Sequence, residues 1–405
     1  MLNARSSPRP RTRRRSGAGS FRRSSAMKIA VVHEWLDTWG GSEMVLAELL
    51  RIYPRAELFA LVDFLPEELR PHLEGRQVHT SFIQRLPAAR AAFRRYLPLF
   101  PAAIASLDVS DFDLVISNSH AVAKGIRTRP GQLHICYCYT PMRYAWDLQE
   151  QYLRQVHLDR GVRGWLARKL MARLRAWDRA ASADVDHFVA ISRYIGDRIL
   201  RCYGRNSVVI YPPVSHRNVA LERRRGTEYI TVSRLVPYKR IDLIVEAFRL
   251  LPASQLVVIG DGAERDRIAA IAPANVRLLG QVSDQVRDQW LAHARAFVFA
   301  ADEDFGIAPV EAQSQGTPVI GIRRGGLLET IRGLDDAEPT GVFFAEQTPE
   351  SIAAAVRTFE AHEARIRPEA CRANAERFSI ERFRLEFAEY VAARYGHFLA
   401  NAGSP

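Results

Sequence analysis

Two consecutive prolines, Pro212-Pro213, interrupt an otherwise regular alternation of short apolar runs and amphipathic runs. No helix interior and no central strand continues through such a pair. Before it, Lys28–His33, Leu114–Ser117, His134–Tyr139 and His187–Ile191 read as buried strands, because their apolar residues are β-prone and nearly continuous. After it, Tyr229–Ser233, Leu256–Gly260, Val276–Gly280, Ala296–Ala300 and Pro318–Ile322 read the same way. Helical runs such as Met44–Leu50, Ile241–Leu251 and Ser351–Phe359 separate them. This pattern predicts an α/β protein of two doubly wound, Rossmann-like domains facing across a cleft. The expected domains are residues 27–210 and 226–379, with a linker at 211–225. Residues 380–405, helical over about Ile380–Leu399, are expected to pack back across a domain, with the N-terminal one as the assignment.

Composition narrows the class further. A chain of 405 residues is long for a single core. No stretch approaches about 18 uninterrupted apolar residues, so no membrane span is expected. Cys136, Cys138, Cys202 and Cys371 form neither a C-x-x-C pair nor a zinc pattern, which suits a reducing, cytoplasmic compartment. The net charge is +12, and eight arginines with no acid lie within residues 1–26. That segment, rich in Arg, Ser, Pro and Gly, is expected to be disordered. It reads either as an upstream start, Met27 opening the first strand, or as a tail that binds anionic lipid or nucleic acid without sequence preference.

The stretch Glu303-Asp304-Phe305-Gly306-Ile307-Ala308-Pro309-Val310-Glu311 carries the most chemistry. It sits where a buried strand gives way to a helix with proline in its first turn. Ligands bind at this end of a strand in open α/β sheets, and helix N-termini favour anions. Backbone N–H groups from Phe305, Gly306, Ile307 and Ala308 are therefore candidate contacts to a sugar ligand. Glu303 in the loop and Glu311 inside the helix are placed to accept hydroxyls of one polyhydroxylated ligand. Asp302-Glu303-Asp304 contains an Asp-x-Asp that elsewhere holds a divalent ion. Because cations already supply the countercharge here, no metal and no other cofactor is expected.

Each half has its own phosphate chemistry. Gly40-Gly41 follows the opening strand and precedes a helix, where glycine permits close backbone approach. It is not G-x-G-x-x-G, which argues against a dinucleotide fingerprint. In the second half, Ser233-Arg234-Leu235-Val236-Pro237-Tyr238-Lys239-Arg240 closes a strand with three cations around a proline turn. Arg234 and Lys239, with Gly40 and Gly41, are the candidate diphosphate-binding groups.

With these motifs in hand, the second half resembles the retaining GT-B glycosyltransferases of family 4. Ser233 to Arg240 resembles their phosphate loop, Gly260-Asp261-Gly262 their glycine-rich turn, and Glu303 with Glu311 their Glu-x7-Glu signature. The first half resembles a bacterial mannosyltransferase-like subgroup through His33-Glu34-Trp35-Leu36, Gly40-Gly41-Ser42-Glu43, Ser117 to Gly125, and Cys136 to Asp147. Asp304 stands where the broad family usually has glycine, and Tyr139 where the subgroup is expected to have histidine. The resemblance implies a nucleoside diphosphate sugar donor, GDP-mannose as the specific expectation, and transfer with retention to a glycan or lipid-linked acceptor in surface polysaccharide synthesis. It implies that Glu311 binds ribose, that Glu303 holds the transferred sugar, and that His120 orients or polarises near the anomeric centre.

Two basic stretches bear on where such an acceptor would be met. Arg163–Arg179 sets Trp165 or Leu166, Leu170, Leu174 and Trp177 along one helical stripe among arginines. It reads as an ordinary helix with its stripe buried, or as an interfacial helix at the inner face of the cytoplasmic membrane. Arg85–Leu99 is a second basic and apolar patch. The rival functions are a sugar-nucleotide epimerase or UDP-sugar transferase of the same fold, a phosphorylase, for which no Schiff-base lysine motif is seen, and a nonenzymatic nucleic-acid binder acting through the tail.

Overall fold

The computed structural model describes residues 27–147, 149–155, 158–215 and 225–402. The basic tail and most of the 211–225 linker lie outside the described residues. The first domain is a seven-stranded parallel sheet in the order β3-β2-β1-β4-β5-β6-β7. Its strands are β1 (Ile29–His33), β2 (Glu57–Ala60), β3 (Val78–Thr80), β4 (Leu114–Ser119), β5 (Leu133–Cys138), β6 (His187–Ala190) and β7 (Ser207–Val209). The second domain is a six-stranded parallel sheet in the order β10-β9-β8-β11-β12-β13. It comprises β8 (Tyr229–Val232), β9 (Leu256–Ile259), β10 (Val276–Gly280), β11 (Ala296–Phe299), β12 (Val319–Ile322) and β13 (Gly341–Phe344). Each sheet reverses direction beside its first strand, which opens a crevice at the strands' carboxyl ends.

β1, β4 and β5 are buried at every position, as strands covered on both faces must be. β2, β3, β7 and β13 had no counterpart among the strands expected from sequence. They run to only three or four residues, and β3, β7 and β13 lie at sheet edges.

The chain crosses between domains twice, side by side. Val214 N–H donates to the Phe378 carbonyl at 2.8 Å, and Arg382 donates to the Tyr211 carbonyl at 2.7 Å. After the second crossing, the helix Ile380–Ala402 lies on the first domain. There Phe383 and Phe387 pack edge-on against Tyr137, and Arg384 Nε pairs with Glu48 at 2.6 Å. Phe305, near the end of the loop after β11, is buried against Tyr211 and Phe378 at ring separations of 5.9 and 5.3 Å. A second-domain side chain thereby anchors in the first domain's core.

The helix Gly161–Ala181 divides its apolar residues between two faces. Met171 and Leu174 are buried, and Trp177 covers Gly125 closely enough that a Cβ there would meet its ring at 2.3 Å. Val162, Trp165 and Leu166 remain 74%, 54% and 55% exposed. Beneath the buried face, Lys124 forms an ion pair with Asp178 at 2.5 Å, both side chains fully buried, while Trp146 and Tyr203 donate to Asp178 at 2.8 and 2.7 Å.

Removing one partner of a buried pair strands the other charge. Lys124→Met is expected to lower unfolding free energy by about 3–5 kcal/mol. Chemical denaturation reads this as a fall in midpoint at constant slope. An unchanged midpoint would mean that Asp178 needs no countercharge.

Candidate functional site

The first domain's share of the cleft is built by two carboxylates of adjoining segments. Glu43, in the first turn of helix Gly41–Ile52, accepts from Gly40 N–H at 2.9 Å and Ser42 Oγ at 2.8 Å, and lies 3.1 Å from His33 Nε2. Asn118 donates to the Ser42 carbonyl at 3.1 Å and faces His33 Nδ1 at 3.1 Å. Facing an acceptor-only carboxylate, His33 Nε2 carries a proton and donates it to Glu43. Burial pushes the Glu43 carboxyl up, but the bond and charge of His33 and the Ser42 hydroxyl outweigh it and hold the group at about 2. Tyr139 also donates to the Ser42 carbonyl, at 3.2 Å, so the tyrosine found where histidine was expected ties the glycine turn to β5.

Of the two glycines assigned to the diphosphate, Gly40 has its N–H committed to Glu43. Gly41 opens the helix, where the first N–H groups have no intrahelical partner. A Cβ on Gly41 would come 2.7 Å from the Ile307 side chain of the second domain, so glycine here admits the facing helix.

Glu34 is the second carboxylate. It is fully buried and accepts from Ser119 Oγ at 2.9 Å and from the backbone N–H groups of His120, Ala121, Val122 and Ala123 at 3.0, 2.7, 2.8 and 3.0 Å. The carboxylate fills the anion cradle that this turn forms. Burial pushes the Glu34 carboxyl up, yet His120, Lys124 and the N–H groups of Ala121 and Val122 bring it below its ordinary value. His120 is carried on this turn, its ring edge-on to Trp35 at 4.9 Å, with Nδ1 buried and unpartnered. Burial lowers the pKa of the ring more than Glu34 raises it, which leaves the imidazole neutral at pH 7.

The second domain contributes the loop after β8. Gly260 and Gly262 have φ of +132° and +156°, and a Cβ on either would meet the Ser233 or Leu235 carbonyl at 1.8 or 2.4 Å. Only glycine lets this turn press against the cationic loop. Lys239 reaches Glu303 Oε1 at 2.5 Å, while Arg234 donates to Tyr238 Oη at 3.1 Å. Arg240, at φ +54°, turns to Asp242 at 3.1 Å. The three cations thus have three different partners.

Glu303 and its neighbours are held from behind: Gly326 N–H donates to the Glu303 carbonyl at 2.8 Å, and a Cβ on Gly326 would meet Phe305 Cα at 2.4 Å. Gly306, at φ +90°, caps the helix Ile307–Ser314, which starts two residues before Pro309. That helix carries Glu311, half-buried and close enough to Arg287 to raise the arginine's pKa against the effect of burial. Of the four residues read as donor-sugar contacts, Gly306, Ile307 and Ala308 line this helix start, while the Phe305 side chain serves the interdomain core. Within Asp302-Glu303-Asp304 the side chains diverge: Glu303 faces Lys239, and Asp304 faces Arg143 and Arg198. No group of three or more potential metal ligands occurs among the described residues.

Several contributors had no sequence signal. Glu43 and Glu34 belong to quoted motifs but had no assigned role. Glu329 of the second domain accepts from Arg193 and Tyr194 N–H at 2.8 and 3.0 Å, capping a first-domain helix. Its partners lie far away in the chain, and only the fold brings them together.

Two family descriptions match the chain. Residues 39–218 match "Glycosyltransferase Family 4" and residues 215–378 match "Glycosyl transferases group 1". The two matches adjoin and together span residues 39–378. It is 28% identical over 257 residues to a D-inositol 3-phosphate glycosyltransferase of Rhodococcus opacus, covering 53% of this chain and 56% of that protein. It is 34% identical over 114 residues to a GDP-mannose-dependent phosphatidylinositol monomannoside mannosyltransferase of Corynebacterium glutamicum, covering 24% and 30%. The matches thus span about half or less of these relatives. Among solved structures, Anabaena HepE in complex with UDP superposes with a TM-score of 0.64 at 18% identity, covering 91% of this chain and all of that one. The fold is GT-B.

Glu43 supplies a pH test. Its folded pKa, about 2, lies below the ordinary 4.5, so its stabilising effect is complete above pH 4.5 and is lost as pH falls towards 2. The stability gap between wild type and Glu43→Gln should be wide at pH 7 and narrower at pH 3. Urea unfolding at the two pH values measures it, and an equal gap at both would remove Glu43's depressed pKa from the account.

Proposed function

We propose that this protein is a retaining glycosyltransferase moving a hexose, mannose from GDP-mannose in the specific reading, to a hydroxyl of a glycan or lipid-linked acceptor. The observation that carries it is the Lys239–Glu303 pair at the carboxyl ends of β8 and β11, with Glu311 on the helix that follows. A diphosphate entering the cleft draws Lys239 from Glu303. The lysine then neutralises phosphate charge, and Glu303 becomes an acceptor for sugar hydroxyls. One binding event arms both groups.

Retention needs no protein nucleophile, because the acceptor hydroxyl can attack from the face that the diphosphate leaves. The costly charges are the negative β-phosphate and the positive, oxocarbenium-like ring. The backbone at Gly306, Ile307 and Ala308 is assigned to the transferred sugar, and Arg234, Lys239 and the helix N-terminus at Gly41 are the donors assigned to the phosphate. Removing one such donor costs about 2–4 kcal/mol of transition-state stabilisation. His120, neutral at pH 7, is assigned to hydrogen bonding near the anomeric carbon rather than to proton donation. Glu311 is assigned to the ribose hydroxyls.

The GDP-mannose reading draws support from the mannosyltransferase relative, and its rival, a UDP-sugar donor, from the UDP in the HepE complex. The acceptor reading draws support from exposed Val162, Trp165 and Leu166 beside Arg163, Lys169 and Arg173, with Lys169 Nζ 3.8 Å over the Trp165 ring. An apolar patch ringed by cations suits the cytoplasmic face of an anionic membrane. In the second patch, Phe93 is buried and Arg94 pairs with Asp37, so it is the weaker candidate. No helix among the described residues is long and apolar enough to cross a membrane.

Three outcomes are expected. Alanine at Arg234 or Lys239 should cost at least about a hundredfold in transfer. Alanine at Arg240 should cost less, since Asp242 already engages that side chain. Initial-rate kinetics on purified variants decide this, and an essential Arg240 with a dispensable Arg234 would reverse the loop assignment. Glu311→Ala should raise donor KM while Glu303→Ala chiefly lowers kcat, because only the latter borders the ring as its charge changes. Two variants kinetically identical to wild type would remove both roles. In a thermal-shift panel, GDP at about 100 times its Kd should add about 2.7 kcal/mol. A shift with UDP alone would overturn the guanine assignment.

A further inference from the structure

Asp304 joins the two domains through a buried charge cluster. Its Oδ2 accepts from Arg143 Nε at 2.9 Å and also pairs with Arg143 Nη2, while Oδ1 accepts from Arg198 Nη1 at 2.9 Å. Arg198 in turn donates to Thr140 Oγ1 at 3.1 Å and Tyr194 Oη at 3.0 Å, and its Nε pairs with Asp147 at 2.9 Å. The Asp304 carbonyl accepts from Ser192 Oγ at 2.6 Å. Every partner belongs to the first domain, whereas Asp304 belongs to the second. Beyond Asp304, Glu303 is the next charge to raise the pKa of Arg143.

We propose that Asp304, Arg143 and Arg198 are positioning residues: an interdomain clamp that fixes the closed cleft and, through the adjacent peptide, the placement of Glu303. The two domains are also joined by two adjacent crossings, the Phe305 contact, the Glu329 cap on Arg193 and Tyr194 N–H, and the approach of Ile307 to Gly41; the adjacent crossings are where a hinge can act. When the cleft opens, water reaches all three charges and offsets the lost pairing, so the clamp sets register without locking the domains shut. When Asp304 is neutralised, Arg143 loses its carboxylate partner and Arg198 keeps only Asp147, so the closed state loses pairing and the open state gains. Glu303 then loses its fixed relation to the first domain, and misplacement of this kind lowers turnover more than binding.

The kinetic arm rests on the glycosyltransferase reading, and a distance measurement does not. Spin labels at Arg173→Cys and Glu350→Cys, exposed positions in the two domains, report the interdomain distance without any substrate. Asp304→Asn and Arg198→Met should each shift the distribution to longer, broader separations, and the double variant should shift it no further. Where donor turnover is measurable, Asp304→Asn should lower kcat by about tenfold or more and change donor KM less. If circular dichroism shows that Asp304→Asn does not fold, Arg143→Gln, at a partly exposed side chain, takes its place with the same readouts. A folded variant whose distance distribution matches wild type overturns the clamp. Absence of transfer by wild type overturns the function reading alone.

Discussion

A parallel strand ends where its crossover helix begins, so each sheet gathers strand carboxyl ends and helix N-termini on one edge. The rest of this molecule depends on how two such edges are brought face to face. Phe305 is buried in the first domain's core beside both interdomain crossings, Gly41 admits Ile307, and Asp304 reaches Arg143 and Arg198. These contacts come from residues 304–307, next to Glu303. One segment of chain therefore both joins the domains and carries the residue read as holding the sugar.

The first domain treats anions in an instructive way. Its turn after β4 forms a cradle of N–H groups, and the chain's own Glu34 fills it. The turn before helix Gly41–Ile52 spends the Gly40 N–H on Glu43. Internal carboxylates thus give the turns their shape, and the donors left for a ligand are those of helix starts. In the second domain the cations of the Ser233–Arg240 loop are shared among Tyr238, Glu303 and Asp242, so an incoming diphosphate must displace existing partners.

Much of this was legible in the sequence wherever the signal was local. Nine strands were visible because each carries a run of apolar residues, buried on both faces in β1, β4 and β5 and only partly covered in the edge strand β10. β3 and β7 escaped because three residues at a sheet edge leave too little pattern. Gly260 and Gly262 were recognisable as a tight turn, but not that the turn backs the cationic loop. Glu34 grips a turn 86 residues away, and Asp304 meets Arg143 161 residues away. No periodicity or spacing encodes such pairings. Tyr139 was visible as a departure from the expected histidine, and only the fold explains it, since the hydroxyl reaches the Ser42 carbonyl.

The central claim is that a nucleoside diphosphate takes Lys239 from Glu303. A crystal structure of the protein with GDP bound tests it most directly. The account predicts Lys239 Nζ on a diphosphate oxygen, the ribose hydroxyls on Glu311, and Glu303 released towards the sugar position. A nucleotide bound with Lys239 still on Glu303, or with its ribose away from Glu311, would contradict it.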